Sequence, residues 1–215
     1  SLLPVAAAQS AAIPPLLTAA LSPSADETLY AYEFTMTETG SRNTKVRGRI
    51  DPTKPKGQRV EIIEGSGKDL DLEAMDERLE DNADGDIWCD SMISGASGKI
   101  AETGSSSGNR AYRFTPKARP DAGNDERKMF EQLVANTVVD EDSRTLKSFT
   151  ARLEKPWKPN IAAKIHEFNM SGDCALAPNG RAYARTITTQ IRGSALGQNF
   201  NAKSVREITK LAPAG

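Results

Sequence analysis

The chain has 215 residues, 38% of them hydrophobic, and carries 28 Lys plus Arg against 29 Asp plus Glu. That length supports one substantial core, and one folded domain is expected over residues 24–215 behind an Ala/Pro-rich leader at 1–23. The near-neutral charge lacks the basic footprint of a nucleic-acid binder, and no apolar run reaches the roughly 18 residues a membrane span needs; a soluble protein with no transmembrane span and no nucleic-acid partner is expected.

The first residues are small and apolar, with Ala6 and Ala8 spaced as in an export-signal cleavage site. They read either as the tail of a cleaved signal or as a flexible mature N-terminus, because no charged or long apolar region precedes them. Pro14 and Pro15 open a short predicted helix through Leu16, Leu17 and Ala20, and Ser24-Ala25-Asp26-Glu27 reads as a capping box starting another turn. From Tyr30 the period becomes two: Tyr30, Tyr32, Phe34 and Met36 alternate with smaller or polar residues, as in a strand with one buried face. A turn at 40–43, a strand at 45–50, a Pro-rich loop at 51–57 and a strand at 59–63 complete a run of antiparallel hairpins.

Residues 69–82 predict an amphipathic helix with Leu70, Leu72, Met75 and Leu79 on its apolar side. Short strands are expected at 86–90, 99–102 and 111–115, with a Ser/Gly-rich loop at 104–109 and a helix over 124–135 carrying Met129, Phe130 and Leu133. The last third reads as strands at 137–140, 145–153, 162–170, 181–192 and from 200 onward, with turns at 156–159 and 178–180. Nine or so strands with a few short helices predict a mainly β (α+β) fold: a strongly curved antiparallel sheet, or incomplete β-barrel, with a few short covering helices.

Catalytic and metal signals are poor. The single histidine, His166, stands mid-strand with no nucleophile in a recognisable elbow, and the Ser/Gly clusters at 94–98 and 104–108 lack the ending of a phosphate loop. A calcium loop aligned on Gly85 fails at its twelfth place, where Ser91 stands instead of a bidentate glutamate. No enzyme activity, cofactor or metal is therefore expected. The two cysteines, Cys89 and Cys174, sit in polar, turn-like surroundings. Spacing alone does not pair them, but such surroundings suit a disulfide in an oxidising compartment better than two buried thiols, and the bridge would close a loop of about 85 residues.

The aromatic residues fall mostly on predicted strands. They form either an ordinary core or the lining of a cavity, since a single curved sheet has one face that no second sheet covers. On the second view Tyr32, Phe34, Ile50, Ile62, Trp88, Phe114 and Phe149 line an apolar hollow, an assignment that a one-residue slip in register would invert.

Three segments carry a resemblance. Gly48-Arg49-Ile50-Asp51-Pro52-Thr53-Lys54-Pro55, Asp84-Gly85-Asp86-Ile87-Trp88 and Tyr112-Arg113-Phe114-Thr115-Pro116-Lys117, in that order after a strand ending near Phe34-Thr35, resemble segments of the LolA/LolB/RseB-like periplasmic lipoprotein-binding family. The resemblance covers about residues 25–155. It departs at Lys54, where the family has arginine, at Val60, where an aromatic is common, in the helix at 69–82 and in the longer tail beyond Trp157. It implies a half β-barrel covered by helices and a periplasmic, non-catalytic binding protein, a monomer, holding a lipid acyl chain or lipoprotein in its concavity. The alternative is an envelope interaction or sensor protein whose core is filled by its own side chains. That protein would meet another envelope protein through a surface patch or the sheet edge.

Overall fold

A computed structural model describes residues 12–22, 26–118 and 122–214. Residues 1–11 and 23 of the expected leader at 1–23, and the first half of the capping box, fall outside the described residues. Among the described residues eleven strands form one antiparallel sheet that does not close into a barrel, and four short helices accompany it, the mainly β class that the sequence pattern predicts. In chain order the elements are α1 (Pro15–Ala20), β1 (Tyr30–Gly40), β2 (Thr44–Ile50), β3 (Val60–Ser66), α2 (Leu72–Glu80), α3 (Cys89–Met92), β4 (Ala96–Ser106), β5 (Asn109–Pro116), α4 (Asn124–Phe130), β6 (Leu133–Asp140), β7 (Leu146–Leu153), β8 (Trp157–Asn160), β9 (Ala163–Leu176), β10 (Ala182–Ala195) and β11 (Gln198–Pro213). The sheet order is β3-β2-β1-β11-β10-β9-β7-β6-β5-β4, with β8 paired to β9 outside that path.

This order contains one long connection. β3 forms one edge of the sheet and β4 the other, so residues 67–95 travel from edge to edge, carrying α2 and α3. We call this segment the strap. One face of the sheet lies beneath it. Tyr30, Tyr32, Phe34, Met36, Val46, Ile50 and Ile208 meet Met75, Leu79, Ile87 and Trp88 of the strap. On the other side of the strap, Tyr112, Phe114, Val139, Leu146 and Phe149 meet Leu17 of α1 and Cys89 and Ile93. Leu17 is wholly buried, so the packed body takes in α1, upstream of the boundary expected at residue 24.

Two glycines let large rings lie down on the sheet. Phe34 pairs across strands with Gly48, and Phe149 with Gly172. A Cβ on Gly48 would stand 2.9 Å from the Phe34 ring, and one on Gly172 would stand 2.3 Å from the Phe149 ring. Only a residue without a side chain accepts a ring at that approach. Gly172, expected in a turn, is thus a seat within β9.

Several boundaries differ from those the sequence predicts. Residues 86–90 form no strand: Trp88 makes one bridge to Tyr183, and the chain then turns into α3. The Ser/Gly loop at 104–109 is strand as far as Ser106, with a tight turn at Gly108, whose φ is 71°. The helix at 124–135 ends at Phe130, because Leu133, Ala135, Thr137 and Val139 alternate inward along β6. The turn at 156–159 is the short strand β8, where Pro159 is tolerated because β8 lies at an edge. β9 and β10 run six and three residues beyond their predicted ends, which places Cys174 in a strand.

α2 is fixed at both ends by carboxylates. Asp71 caps it, accepting from the backbone N–H of Ala74 at 3.1 Å. Glu80, buried at its last turn, accepts from the N–H of Gly57 at 2.9 Å and of Val60 at 2.8 Å, tying α2 to the start of β3. Burial pushes the Glu80 carboxyl up, but backbone hydrogen bonds from Val60, Gly57 and Arg59 outweigh it and hold the carboxyl below its ordinary value of 4.5. A depressed carboxyl stabilises the fold above its unfolded pKa, and that stability is lost as the pH falls through the lower folded value. The difference in urea midpoint between the native chain and Glu80→Gln is therefore expected to be greatest above pH ~5 and to shrink on acidification below the ordinary carboxylate range. A difference that does not change with pH would show that Glu80 acts through shape alone.

Candidate functional site

The strap is pinned at its centre. Cys89, at the start of α3, forms a disulfide with Cys174 of β9, 85 residues away. The predicted bridge is present, though in packed rather than turn-like surroundings: Cys89 is wholly buried and Cys174 half-buried. The N–H of Ala184 donates to the carbonyl of Ile87 at 2.8 Å. Arg181 donates to both carboxylate oxygens of Asp90, at 2.9 and 2.6 Å, and its guanidinium lies 4.4 Å from the centre of the Trp88 ring. Trp88 in turn meets Tyr30 edge-on at 5.6 Å. Covalent, ionic and aromatic contacts converge on four consecutive strap residues, Ile87 to Asp90.

Beside this pinned point a half-open groove of about 360 Å³ remains on the inner face. Its floor is Phe168 and Met170 of β9 with Arg206 of β11; its walls are Met92 of α3 and Met129 and Phe130 of α4. Asn82, Asp84, Asp86, Ser91 and Glu126 form a polar rim. The strand alternation explains the floor. Met170 pairs with Ala151 on one side and Thr189 on the other, and Phe168 with Ile191, so small or aliphatic neighbours leave both side chains accessible. Three methionines give the groove unbranched, polarisable walls that repack around irregular apolar guests. A volume near 360 Å³ lies at the lower end of the ~300–1,000 Å³ usual for ligand pockets.

Arg206 supplies the floor's positive charge, and among the described residues no carboxylate makes an ion pair with it. It lies near Tyr32, whose hydroxyl is pushed up mainly by burial, with Asp84 and Asp86 acting in the same direction and Arg206 opposing them. The arrangement can hold an apolar chain along the methionines and a carbonyl or anionic end at Arg206.

The seven residues singled out from the sequence sit elsewhere on the same face. Tyr32, Phe34, Ile50 and Trp88 are buried in the packed cluster beneath α2, Phe114 and Phe149 in the cluster beneath α1, and Ile62 is half-buried against the α2 side. The groove is lined by none of them. The aromatic alternation marked the buried face; the groove residues needed a different signal, the meeting of Met92 and Met129, at the ends of α3 and α4, with Met170 in the middle of β9.

Other features are chemically plainer. A second depression of about 350 Å³ has a lining as apolar as it is polar, and two of its charges, Asp90 and Arg181, are consumed by each other. Among the described residues no group of three or more His, Cys, Asp or Glu side chains is placed to hold a metal ion. Among them also, no helix is long and apolar enough to cross a membrane. No family model, no curated protein and no solved structure matches this chain.

Proposed function

We propose that this chain is an exported, periplasmic, non-catalytic binding protein that takes a lipid acyl chain, free or on a lipoprotein, into the groove beside the strap. The observation that carries the reading is the methionine- and phenylalanine-walled opening over the inner face of an unclosed sheet, with a lone arginine in its floor. The resemblance of three sequence segments to the LolA/LolB/RseB-like family agrees with it, and the Cys89–Cys174 bridge suits an oxidising compartment. Met92, Met129, Phe168 and Met170 surround the chain, and Arg206 meets its carbonyl or carboxylate end.

Burial of each CH₂ is worth about 0.8 kcal/mol, so affinity for saturated fatty acids is expected to fall about tenfold for every two methylenes removed. Titration of the delipidated protein with a fatty-acid series measures this. Met170→Glu places a charge on the floor and is expected to weaken binding at least tenfold, given a cost of roughly 1–3 kcal/mol for an unpaired polar group. Affinity independent of chain length, or unaltered in Met170→Glu, would exclude the groove as the acyl site.

One observation favours a second reading, an envelope interaction or sensor protein. Tyr32, Phe34, Phe114 and Phe149 fill the region beneath the helices by themselves. Native mass spectrometry of gently purified protein separates the two: a lipid-sized increment belongs to the first, a clean protein mass to the second.

A further inference from the structure

The end of the sheet reached by the β8–β9 and β10–β11 turns presents two aliphatic side chains to solvent. Ile161 is 106% exposed and Leu196 is 85% exposed. The two turns are joined, because the N–H of Leu196 donates to the carbonyl of Ala162 at 2.9 Å, so the two side chains are held on neighbouring tips.

Leu196 is a costly choice for its position. Leu196 and Gly197 form a two-residue hairpin loop with φ of 49° and 79°. Such a turn needs the left-handed region at both places and favours Asn-Gly, while a leucine is strained there. Neither packing nor turn stereochemistry accounts for a leucine at this tip.

The charge around the tips is one-sided. Residues 155–168 and 190–203 carry five Lys and Arg against one carboxylate, in a chain whose net charge is −1. That carboxylate, Glu167, pairs with Arg192 at 3.2 Å. Lys158 and Lys164 stand within three residues of Ile161, and Lys155 and Lys203 lie further back along the same hairpins. Exposed aliphatic side chains surrounded by lysines suit a surface that is apolar inside and anionic outside.

We propose that the joined β8–β9 and β10–β11 tips dock this protein on an anionic lipid surface, Ile161 and Leu196 entering the headgroup–acyl boundary while Lys158 and Lys164 face the phosphates. Docking here uses no residue of the groove.

Co-sedimentation of the full chain with phosphatidylglycerol-rich vesicles and with pure phosphatidylcholine vesicles tests this. Binding is expected to the anionic vesicles at low salt, at least tenfold weaker in roughly 0.5 M NaCl. It is expected to be about fivefold weaker in Lys158→Gln or Lys164→Gln and reduced at least tenfold in the Ile161→Asn/Leu196→Asn double variant. Asparagine suits the Leu196 backbone, so the double variant should keep the native urea midpoint and its fatty-acid affinity, separating docking from the groove. In Leu196→Trp, the tryptophan emission is expected to shift to the blue on adding anionic vesicles. No sedimentation with anionic vesicles, equal sedimentation with neutral ones, or an undiminished affinity in the double variant would overturn the proposal, the first leaving the tips to a protein partner.

Discussion

Cys89→Ala/Cys174→Ala is expected to lower the unfolding free energy by about 4 kcal/mol, the largest effect of any change outside the buried rings. The bridge closes a loop of 85 residues, and in the chain-entropy account a loop of that length restrains the unfolded chain by roughly 4–5 kcal/mol. Alanine is the right replacement because Cys89 is wholly buried, and a serine there would add an unsatisfied hydroxyl. Urea unfolding of oxidised native protein and of the variant measures the change, and the variant's m-value is expected to rise as its unfolded chain expands. A loss below about 1 kcal/mol would mean that the strap is held without its crosslink. The bridge fastens strap to sheet at the edge of the groove, so reduction is also the direct way to ask whether a fixed strap is needed for binding.

The second large effect concerns Asp90 and Arg181. Their side chains are 10% and 12% exposed, and the pair is bidentate. Removing one partner of a buried pair leaves a desolvated charge and costs about 3–5 kcal/mol. Asp90→Ala is expected at the lower end of that range, because Arg181 keeps its place over the Trp88 ring and an aromatic face offsets part of a cation's desolvation. Asp90→Ala/Arg181→Met should recover much of the loss, giving a coupling above roughly 1.5 kcal/mol in a double-mutant cycle. Raising the salt should change the result little, since a buried pair is poorly screened. Additive losses would show that the two charges do not depend on each other.

These two contacts lie on adjoining strap residues, and the sequence announces them unequally. The cysteines invite pairing by their polar surroundings, although those surroundings turned out to be a helix start and a mid-strand position. Asp90 and Arg181 carry no local signal: they are 91 positions apart and meet only because the strap crosses β10. The same holds for the groove. Met129 and Phe130 were legible as the apolar side of a helix and Phe168 as a strand aromatic, but that Met92 and Met170 stand opposite them depends on the crossing.

Errors of boundary have local physical causes. The helix over 124–135 ran too far because Met129, Phe130 and Leu133 also satisfy a helical spacing; the alternation of Leu133, Ala135, Thr137 and Val139 was the competing signal, and burial of that face decides for strand. Cys174 read as turn-like because Ser171-Gly172-Asp173 looks like a loop, whereas Gly172 is needed where the Phe149 ring lies against the sheet. Tyr30 to Met36 read correctly because a strand with one buried face repeats every two residues, and no other structure satisfies that pattern.

The sequence by itself determined the class of fold, the buried face of a strand such as β1 and the presence of α1, α2 and α4, all properties of neighbouring residues and their periods. Tertiary structure alone decided that β1 would lie beside β11, that β3 and β4 would take opposite edges, and that a strap would cross between them. Strand pairing is chosen by the burial of whole faces and by hydrogen bonds between distant segments, and periodicity within a segment does not specify its partner. The groove exists because of that choice: it is the space left where a crossing segment, anchored at one point, does not cover the whole of the sheet beneath it.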